Sequence, residues 1–251
     1  MLKTAIAACR DAGKIALKNF KGDIKVSDKG KFDLVTDIDI LCENVMIKKV
    51  KAKYPGHRII AEESGLIDAR SEFTWILDPI DGTINYAHGF PYFNISIGIL
   101  KNGVPVVGVV YDPLHDEMFY AEKGKGAFMN YQSIAVSKTS SLKKAFLVSE
   151  FTTKKNFLAK QFMVDKKISR FIMGLRITSS TSLNMAYCAI GRFDGYIKSN
   201  VKFLDYVAGS VILSEAGGKI TDLSGNPFSE KSKSIVASNK ILHKKIIDAA
   251  K

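Results

Sequence analysis

Three apolar segments in the first half of the chain constrain its fold more than any other feature. They read TWILDP, NISIGIL and PVVGVVYDP; they are rich in β-branched residues and each is bounded by turn residues. Such segments predict β-strands. The next segment, EMFYAEKGKGAFMN, predicts a hairpin, with Gly124 and Gly126 near its turn. The first half of the chain is therefore expected to contain a substantial sheet.

Two helices are predicted before these strands, at about residues 4–20 and 37–54. The second has the sequence DIDILCENVMIKKVKAKY and stops before Pro55-Gly56, which commonly ends a helix. HRIIAEESG then predicts a short strand that ends in acids. Helix and strand are thus both expected in the first half.

Strand-like and helical segments alternate from about Ala145 onward, an α/β rhythm. A boundary near Ser140, in SKTSSLKK, divides the chain into an N-terminal α+β half, residues 1–140, and a C-terminal α/β half, residues 141–251. The predicted strands of the second half are 146–149, 193–198, 218–222 and 234–238, and its predicted helices are about 181–190, 205–216 and 241–250.

Charge and cysteine usage narrow the class of protein. The formal net charge is +12, but the lysines are scattered, a pattern typical of a solvated surface. Such a surface would still concentrate anionic small molecules or RNA. The three cysteines lie far apart, which argues against disulfides or a zinc site and favours the cytoplasm. No segment has the length of a membrane span or the apolar core of a signal peptide, so no membrane association is expected.

Acidic residues stand at three separate places where a strand ends or a helix begins. Glu62 follows the strand RIIA, Asp78 and Asp81 follow TWIL, and Asp205 opens a predicted helix. In open α/β folds ligands bind at such places. Taken alone, Asp205 fits a helix N-cap as well as a catalytic residue, and Glu62 fits a solvated turn.

The segment DPIDGT is harder to explain as an ordinary turn. Pro79 restricts the backbone between the two aspartates, and Gly82 permits a sharp turn or a close ligand. Thr83 and the next amides could begin a helix and face an anion. Two neighbouring carboxylates repel each other unless a cation or a proton lies between them. A hard divalent cation, magnesium in particular, is the natural partner.

WILDPIDGTINY resembles the signature of the inositol monophosphatase family, the magnesium-dependent, lithium-sensitive phosphatases. The segments DLVTDID, AEESG, GKGAF and LDYVAGSVILSEAGG match that family in order and spacing, so the resemblance covers essentially the whole chain. It implies an α+β fold, the layered α-β-α-β-α sandwich of the sugar-phosphatase type. It also implies a phosphorylated small-molecule substrate, inhibition by lithium and a homodimer.

The resemblance further implies roles for individual residues. Two or three Mg²⁺ ions per subunit would be bound by Glu62, Asp78, Asp81, the backbone carbonyl of Ile80, and Asp205. Asp39, rather than Asp37, matches the family acid that works with the residue at Thr83 to position and activate the attacking water. The amides of Gly82 and Thr83 would hold the phosphate.

Two departures from the family pattern concern the substrate. Ser179 stands where glycine is usual, in RITSST, and a positive φ there would strain a serine. Ser179, Ser180 and Thr181 remain expected substrate contacts.

Lys198 stands where well-matched inositol phosphatases have a glutamate. Lysine cannot accept a hydrogen bond, so it either pairs with a second anionic group or faces solvent. Pairing with a second anion argues against strict specificity for inositol monophosphate. The expected substrate is inositol monophosphate or a related sugar or nucleotide phosphate, and fructose 1,6-bisphosphate and 3′-phosphoadenosine 5′-phosphate are the alternatives. A second class of function, regulatory binding of RNA or the transcription machinery on the same fold, is compatible with the basic charge.

Overall fold

Two sheets organise the chain, and helices cover both faces of each. The computed structural model describes residues 1–30, 33–151 and 154–251. Within those ranges the helices are α1 (Leu2–Asn19), α2 (Asp37–Lys53), α3 (Thr83–Ala87), α4 (Lys155–Ile168), α5 (Thr181–Ala189), α6 (Phe203–Glu215) and α7 (Lys240–Ala250), with a 3₁₀ turn at Leu142–Lys144.

The strands fall into a short hairpin and two larger sheets. They are β1 (Val26–Gly30), β2 (Asp33–Thr36), β3 (Arg58–Ala61), β4 (Gly65–Ile67), β5 (Phe73–Asp81), β6 (Asn94–Lys101), β7 (Val104–Asp112), β8 (Glu117–Glu122), β9 (Ala127–Met129), β10 (Gln132–Ile134), β11 (Phe146–Glu150), β12 (Gly174–Thr178), β13 (Gly195–Lys198), β14 (Gly218–Thr221) and β15 (Ile235–Asn239). β1 pairs with β2; the eight-stranded sheet has the order β10-β9-β8-β7-β6-β5-β3-β4, and the five-stranded sheet has the order β12-β11-β13-β15-β14.

Three apolar cores hold the layers together. Met46 of α2 packs with Trp75 on the outer face of the eight-stranded sheet. Val207 of α6 packs with Val110 in the core between the two sheets. α4 and α7 cover the outer face of the five-stranded sheet, where Ile246 belongs to the third core. Removing this apolar surface from water is the main driving force for the layered arrangement. The expected layered α-β-α-β-α sandwich is confirmed.

Two glycines let α6 approach the first sheet closely. Gly98 and Gly108 face each other across β6 and β7. A Cβ atom on Gly108 would lie 2.2 Å from the carbonyl oxygen of Ala208, and one on Gly98 would lie 2.4 Å from a methyl carbon of Val207. Only glycine fits such a close approach. The contact fixes where α6, and therefore Asp205, sits relative to β5.

Most of the predicted elements are confirmed. α1 and α2 match the first two predicted helices, and β8 and β9 form the predicted hairpin. The predicted α/β alternation of the second half is present as well. The predicted start of α6 at about residue 205, with Asp205 as a possible N-cap, was wrong. The helix begins at Phe203 with Lys202 as its N-cap, so Asp205 lies in the first turn.

Several elements were not predicted: the β1–β2 hairpin, β4, β10, α4 and β12. The proposed boundary near Ser140 falls after β10 and before β11, that is, between the strands of the two sheets. Because α5 and α6 share the central core with the first sheet, the two halves pack intimately. The division into residues 1–140 and 141–251 stays a prediction.

Two further findings concern the cysteines and the length of the helices. Cys9, Cys42 and Cys188 are all buried and free. Among the helices that the structure describes, none combines the length and the apolarity needed to cross a membrane.

Candidate active site

A polar cavity of about 210 Å³ lies where the two sheets and α6 meet. Its lining includes all five predicted metal ligands: Glu62, Asp78, Ile80, Asp81 and Asp205. It also includes four predicted phosphate or substrate contacts: Gly82, Thr83, Ser179 and Lys198. The folded chain therefore gathers residues that are up to 143 positions apart in sequence, from Glu62 to Asp205.

A bulge explains why Asp78 and Asp81 both face this cavity. On a regular strand, residues three positions apart point to opposite faces. Here Asp78 pairs with Ser96 and Asp81 pairs with Asn94. Between these two pairs β5 contains one more residue than β6. Such an extra residue reverses the face to which the next residues of the strand point. Pro79 suits the bulge because it has no N–H to donate to the ladder.

Asp81 is anchored by the first turn of α5. Its carboxylate accepts hydrogen bonds from the backbone N–H groups of Thr181 (3.2 Å) and Ser182 (2.8 Å). The side chains of Asn94 (2.9 Å) and Ser180 (3.1 Å) donate to the same carboxylate. The positive end of the α5 dipole favours a carboxylate at this position. Asp81 is thus held in one orientation by groups from both halves of the chain.

Asp78, unlike Asp81, has a carboxylate oxygen without a hydrogen-bond donor in the described part of the chain. Its side chain is buried, and its Oδ1 atom has no hydrogen-bond partner among the described residues. Burial, together with the neighbouring charge of Glu62, holds the pKa of Asp78 well above its usual range. A buried carboxylate oxygen without a donor is costly unless a cation satisfies it.

The pKa values of the other cavity acids, Glu62, Asp81 and Asp205, are also raised. Burial raises the pKa of Glu62 to about 7, although Lys29 opposes the shift. Burial and then the charge of Glu150 raise the pKa of Asp81 to about 7. Burial also raises the pKa of Asp205, against the effect of Lys198. The acids repel one another and require protons or cations to remain together.

The donor set fits magnesium, which prefers carboxylate and carbonyl oxygens. The unpartnered oxygen of Asp78 is the observation that tests this fit directly. As the side chains of the described residues stand, no group of three or more acids, histidines or cysteines is already closed around an ion position.

These shifts predict how the metal-free protein responds to pH. Glu62 and Asp81 bind protons more tightly when folded, so the folded state holds more protons than the unfolded state between about pH 4 and 7. Stability without metal should therefore fall as pH rises through this window, by about 3 kcal/mol or more. Urea unfolding in EDTA at several pH values measures this. A curve that is flat or rises over the same window would contradict the electrostatic description.

Asp39 lies in the first turn of α2, and its carboxylate contacts the side chain of Thr83. Asp39 Oδ2 accepts hydrogen bonds from the N–H (2.9 Å) and hydroxyl (2.5 Å) of Thr36, the N-cap residue. Thr83 Oγ1 lies 3.3 Å from Asp39 Oδ1 and 3.0 Å from the carbonyl oxygen of Ile80. Burial raises the pKa of Asp39 to about 6, against these bonds from Thr36. Asp37 instead accepts from the backbone N–H of Lys25 (3.2 Å), away from Thr83.

Gly82 and Ser179 form a close backbone contact at the cavity. Gly82 has φ +103°, and a Cβ atom there would lie 2.7 Å from the carbonyl oxygen of Ser179. Both the left-handed backbone and the space require glycine. Ser179 is not among the described residues with positive φ, so the strain considered for a serine at this position does not arise. Its carbonyl accepts a hydrogen bond from Asn85 Nδ2 (2.9 Å).

Ser180 and Thr181 lie behind the cavity wall. Each is about 1% exposed, and their hydroxyls face Asp81 and Glu150 respectively.

Lys198 is 7% exposed, so the prediction that it could face solvent was wrong. It forms an ion pair with Glu150 and donates to Thr181 Oγ1 at 3.0 Å.

Glu150 lines the cavity but was not identified from the sequence. The signal was present, because Glu150 directly follows the predicted strand 146–149, as Glu62 follows RIIA. Asn94 and Ser182, which bind Asp81, carried no comparable local signal, since their roles depend on pairing across the fold.

Comparisons with known proteins identify related sequences and structures. The sequence profile of the inositol monophosphatase family matches residues 1–251. Inositol monophosphatase 1 of Solanum lycopersicum is 37% identical over 256 residues, covering 99% of this chain and 93% of the relative. Nus factor SuhB of Vibrio cholerae is 38% identical over 245 residues, covering 95% and 91%. The crystal structure of extragenic suppressor protein suhB from Bartonella henselae superimposes with a TM-score of 0.96 at 30% identity, covering 99% and 97%.

Proposed function

Because this chain belongs to the inositol monophosphatase family, we propose that it is a magnesium-dependent phosphatase that hydrolyses phosphate monoesters of small alcohols. One observation carries the proposal. Acids from the end of β3, from β5 and from α6 line a single cavity, and the Asp39–Thr83 contact lies beside them. A purely structural cavity has no need for four mutually repelling carboxylates, of which Asp78 and Asp81 are buried and Glu62 and Asp205 are partly buried.

The residues divide into metal ligands and a water-orienting pair. Glu62, Asp78, Asp81, Asp205 and the carbonyl of Ile80 would hold two or three Mg²⁺ ions. When bound, magnesium supplies Lewis-acid activation of water and neutralises phosphate charge. Asp39 and Thr83 orient the attacking water, and the pKa of Asp39 near 6 suits a group that accepts a proton near neutral pH. No side chain needs to form a covalent bond to phosphorus.

We propose that the pocket takes a monophosphate in preference to a bisphosphate. Gly82, Thr83, Ser179 and Lys198 line the cavity and are proposed to contact the substrate, whereas Ser180 and Thr181 act from behind the wall through Asp81 and Glu150. Because Glu150 offsets the charge of Lys198, this lysine does not by itself supply the unbalanced positive charge that a second phosphate would require. Inositol monophosphate or a related sugar phosphate is therefore proposed before fructose 1,6-bisphosphate or 3′-phosphoadenosine 5′-phosphate.

A panel of substrates tests this choice. Phosphate release is measured with magnesium on inositol 1-phosphate, fructose 1,6-bisphosphate, 3′-phosphoadenosine 5′-phosphate, histidinol phosphate and glycerol 2-phosphate. The highest kcat/KM is expected on a substrate with one phosphate. A clear preference for either bisphosphorylated compound would show that the cavity binds a second anion and would overturn the assignment. Lithium is expected to inhibit the reaction.

A second function, binding of RNA or the transcription machinery, is favoured by the charge of the chain and by its similarity to a known protein. The chain carries a net charge of +12 and is similar to a Nus factor. Lys155, Lys160, Lys166 and Arg170 all lie exposed on or just after α4, away from the cavity lining. Salt-dependent RNA binding that persists in Asp81→Asn would support this function, since it would be independent of the acids.

We also propose a cytoplasmic homodimer that uses the exposed edge of the second sheet. β12 is an edge strand, and Phe171, Met173 and Ile177 expose large apolar side chains on it or just before it. Exposed apolar edges commonly pair with another chain. The double variant Met173→Lys/Ile177→Lys should be a monomer by light scattering at concentrations where wild type is a dimer. Ile241→Lys, at an exposed position on α7, is the control, and an unchanged mass for the double variant would exclude this interface.

A further inference from the structure

Lys198 and Glu150 form a buried ion pair in the wall of the cavity, and the proposed chemistry gives no role to Glu150 or to the pairing itself. Both side chains are about 9% exposed. Glu150 ends β11 and Lys198 ends β13, and these two strands are parallel neighbours. The Tyr196 hydroxyl donates to Glu150 at 2.7 Å, so the carboxylate is well satisfied. The pair therefore occupies one defined geometry.

Thr181 connects this pair to the proposed metal site. Its hydroxyl accepts from Lys198 Nζ (3.0 Å) and donates to Glu150 Oε2 (2.9 Å). Its backbone N–H donates to Asp81 Oδ1 at 3.2 Å, and the next N–H, from Ser182, donates to Asp81 Oδ2 at 2.8 Å. The side chain of one residue thus faces the ion pair while its backbone faces Asp81.

Stability alone does not explain a charged pair at this position. Two charges removed from water are often no more stabilising than apolar side chains of similar volume, but they do impose a specific geometry. The geometry imposed here is that of the first turn of α5. That turn is the part of the second half whose backbone N–H groups contact Asp81.

We propose that Lys198 and Glu150 are positioning residues for Asp81. Together with Thr181 they fix the first turn of α5, and the turn fixes the direction in which the Asp81 carboxylate faces the cavity. The inference rests on the proposed function, in which Asp81 is a magnesium ligand. Partners that orient a metal ligand typically change metal affinity by 10- to 100-fold when removed.

The side chains of Lys198, Glu150 and Thr181 are called the clamp below. Two variants disrupt the clamp without changing the net charge of the site. Thr181→Val deletes the hydroxyl that joins the ion pair to α5 and keeps the side-chain shape. Glu150→Gln/Lys198→Met removes one negative and one positive charge together. Thr74→Val, a buried threonine at the opposite end of β5 from Asp81, is the matched control. Asp81→Asn is measured alongside as the loss of the ligand itself.

Calorimetric titration with Mg²⁺ gives the readout, with the melting temperature in EDTA recorded for each protein. The Mg²⁺ Kd is expected to rise about tenfold in both clamp variants and to stay near wild type in Thr74→Val. A merely structural role would lower the melting temperature and leave Kd unchanged. If the double variant does not fold, Thr181→Val alone decides the question.

The outcomes separate this inference from the proposed function. If Asp81→Asn abolishes binding while Thr181→Val and the double variant, where it folds, stay within about twofold of wild type, the clamp is overturned and the metal site stands. If Asp81→Asn binds Mg²⁺ as tightly as wild type, Asp81 is not a ligand, and both the proposed site and the clamp are overturned.

Discussion

Replacing Asp81 with asparagine is expected to reduce magnesium-dependent phosphate release by about a thousandfold or more. A bound divalent ion supplies several kcal/mol of transition-state stabilisation, and about 4 kcal/mol corresponds to a thousandfold in rate. Asparagine has the same shape but lacks the negative charge. It can still accept a hydrogen bond from Ser182, so the fold should persist while the ligand is lost.

The measurement is kcat/KM on the best substrate of the panel, at saturating magnesium, with circular dichroism to show that the variant is folded. Asp23→Asn is the matched control, because Asp23 is exposed and lies outside the cavity lining. A folded Asp81→Asn protein that retains more than about a tenth of wild-type activity would remove Asp81 from the metal site.

Replacing Asp39 with asparagine is expected to lower kcat by about a hundredfold to ten-thousandfold and to change magnesium affinity by much less. Asp39 contacts Thr83 rather than the predicted ligands, so its loss removes water orientation and proton acceptance. An asparagine oxygen can still accept from Thr36, which preserves the start of α2. The effect on kcat should therefore be separate from any effect on stability.

The pH profile gives the same variant a second readout. Burial raises the pKa of Asp39 to about 6, and the group must be ionised to accept a proton. Wild-type kcat should therefore rise with pH through about 6, and this rise should be absent in Asp39→Asn. Asp37→Asn is the matched control, since Asp37 lies two residues earlier and contacts Lys25 instead. Loss of activity in Asp37→Asn with retention in Asp39→Asn would reverse the assignment.

Most of the acidic residues proposed for this site could be identified from the sequence, because they stand where a strand ends or a helix begins. Asp78 and Asp81 could be paired from Pro79 and Gly82 alone, which mark an irregular strand end. The bulge that turns both carboxylates to one side could not be derived, because it depends on the register with β6. The same limit applies to Glu150 and Lys198, whose contact arises from the adjacency of β11 and β13.

The missed elements have physical reasons too. The buried face of α4 includes Gln161 and Asp165, which bond to each other, so its apolar period is interrupted by polar residues. β12 is an edge strand with partly exposed residues, so it lacks the buried β-branched pattern of β5 or β6. Local patterns identify elements that bury one regular face and miss those that bury polar networks or lie at an edge.

The most direct test of the central claim is a magnesium titration of phosphate release by wild-type protein first stripped with EDTA. Inositol 1-phosphate is the first substrate, and the other compounds of the panel follow. The expected result is no turnover without magnesium and saturable turnover as magnesium is added, with Asp81→Asn inactive throughout. Equal turnover in EDTA, or no turnover on any of the five compounds from folded, magnesium-loaded protein, would contradict the claim that this cavity is a magnesium-dependent phosphatase site.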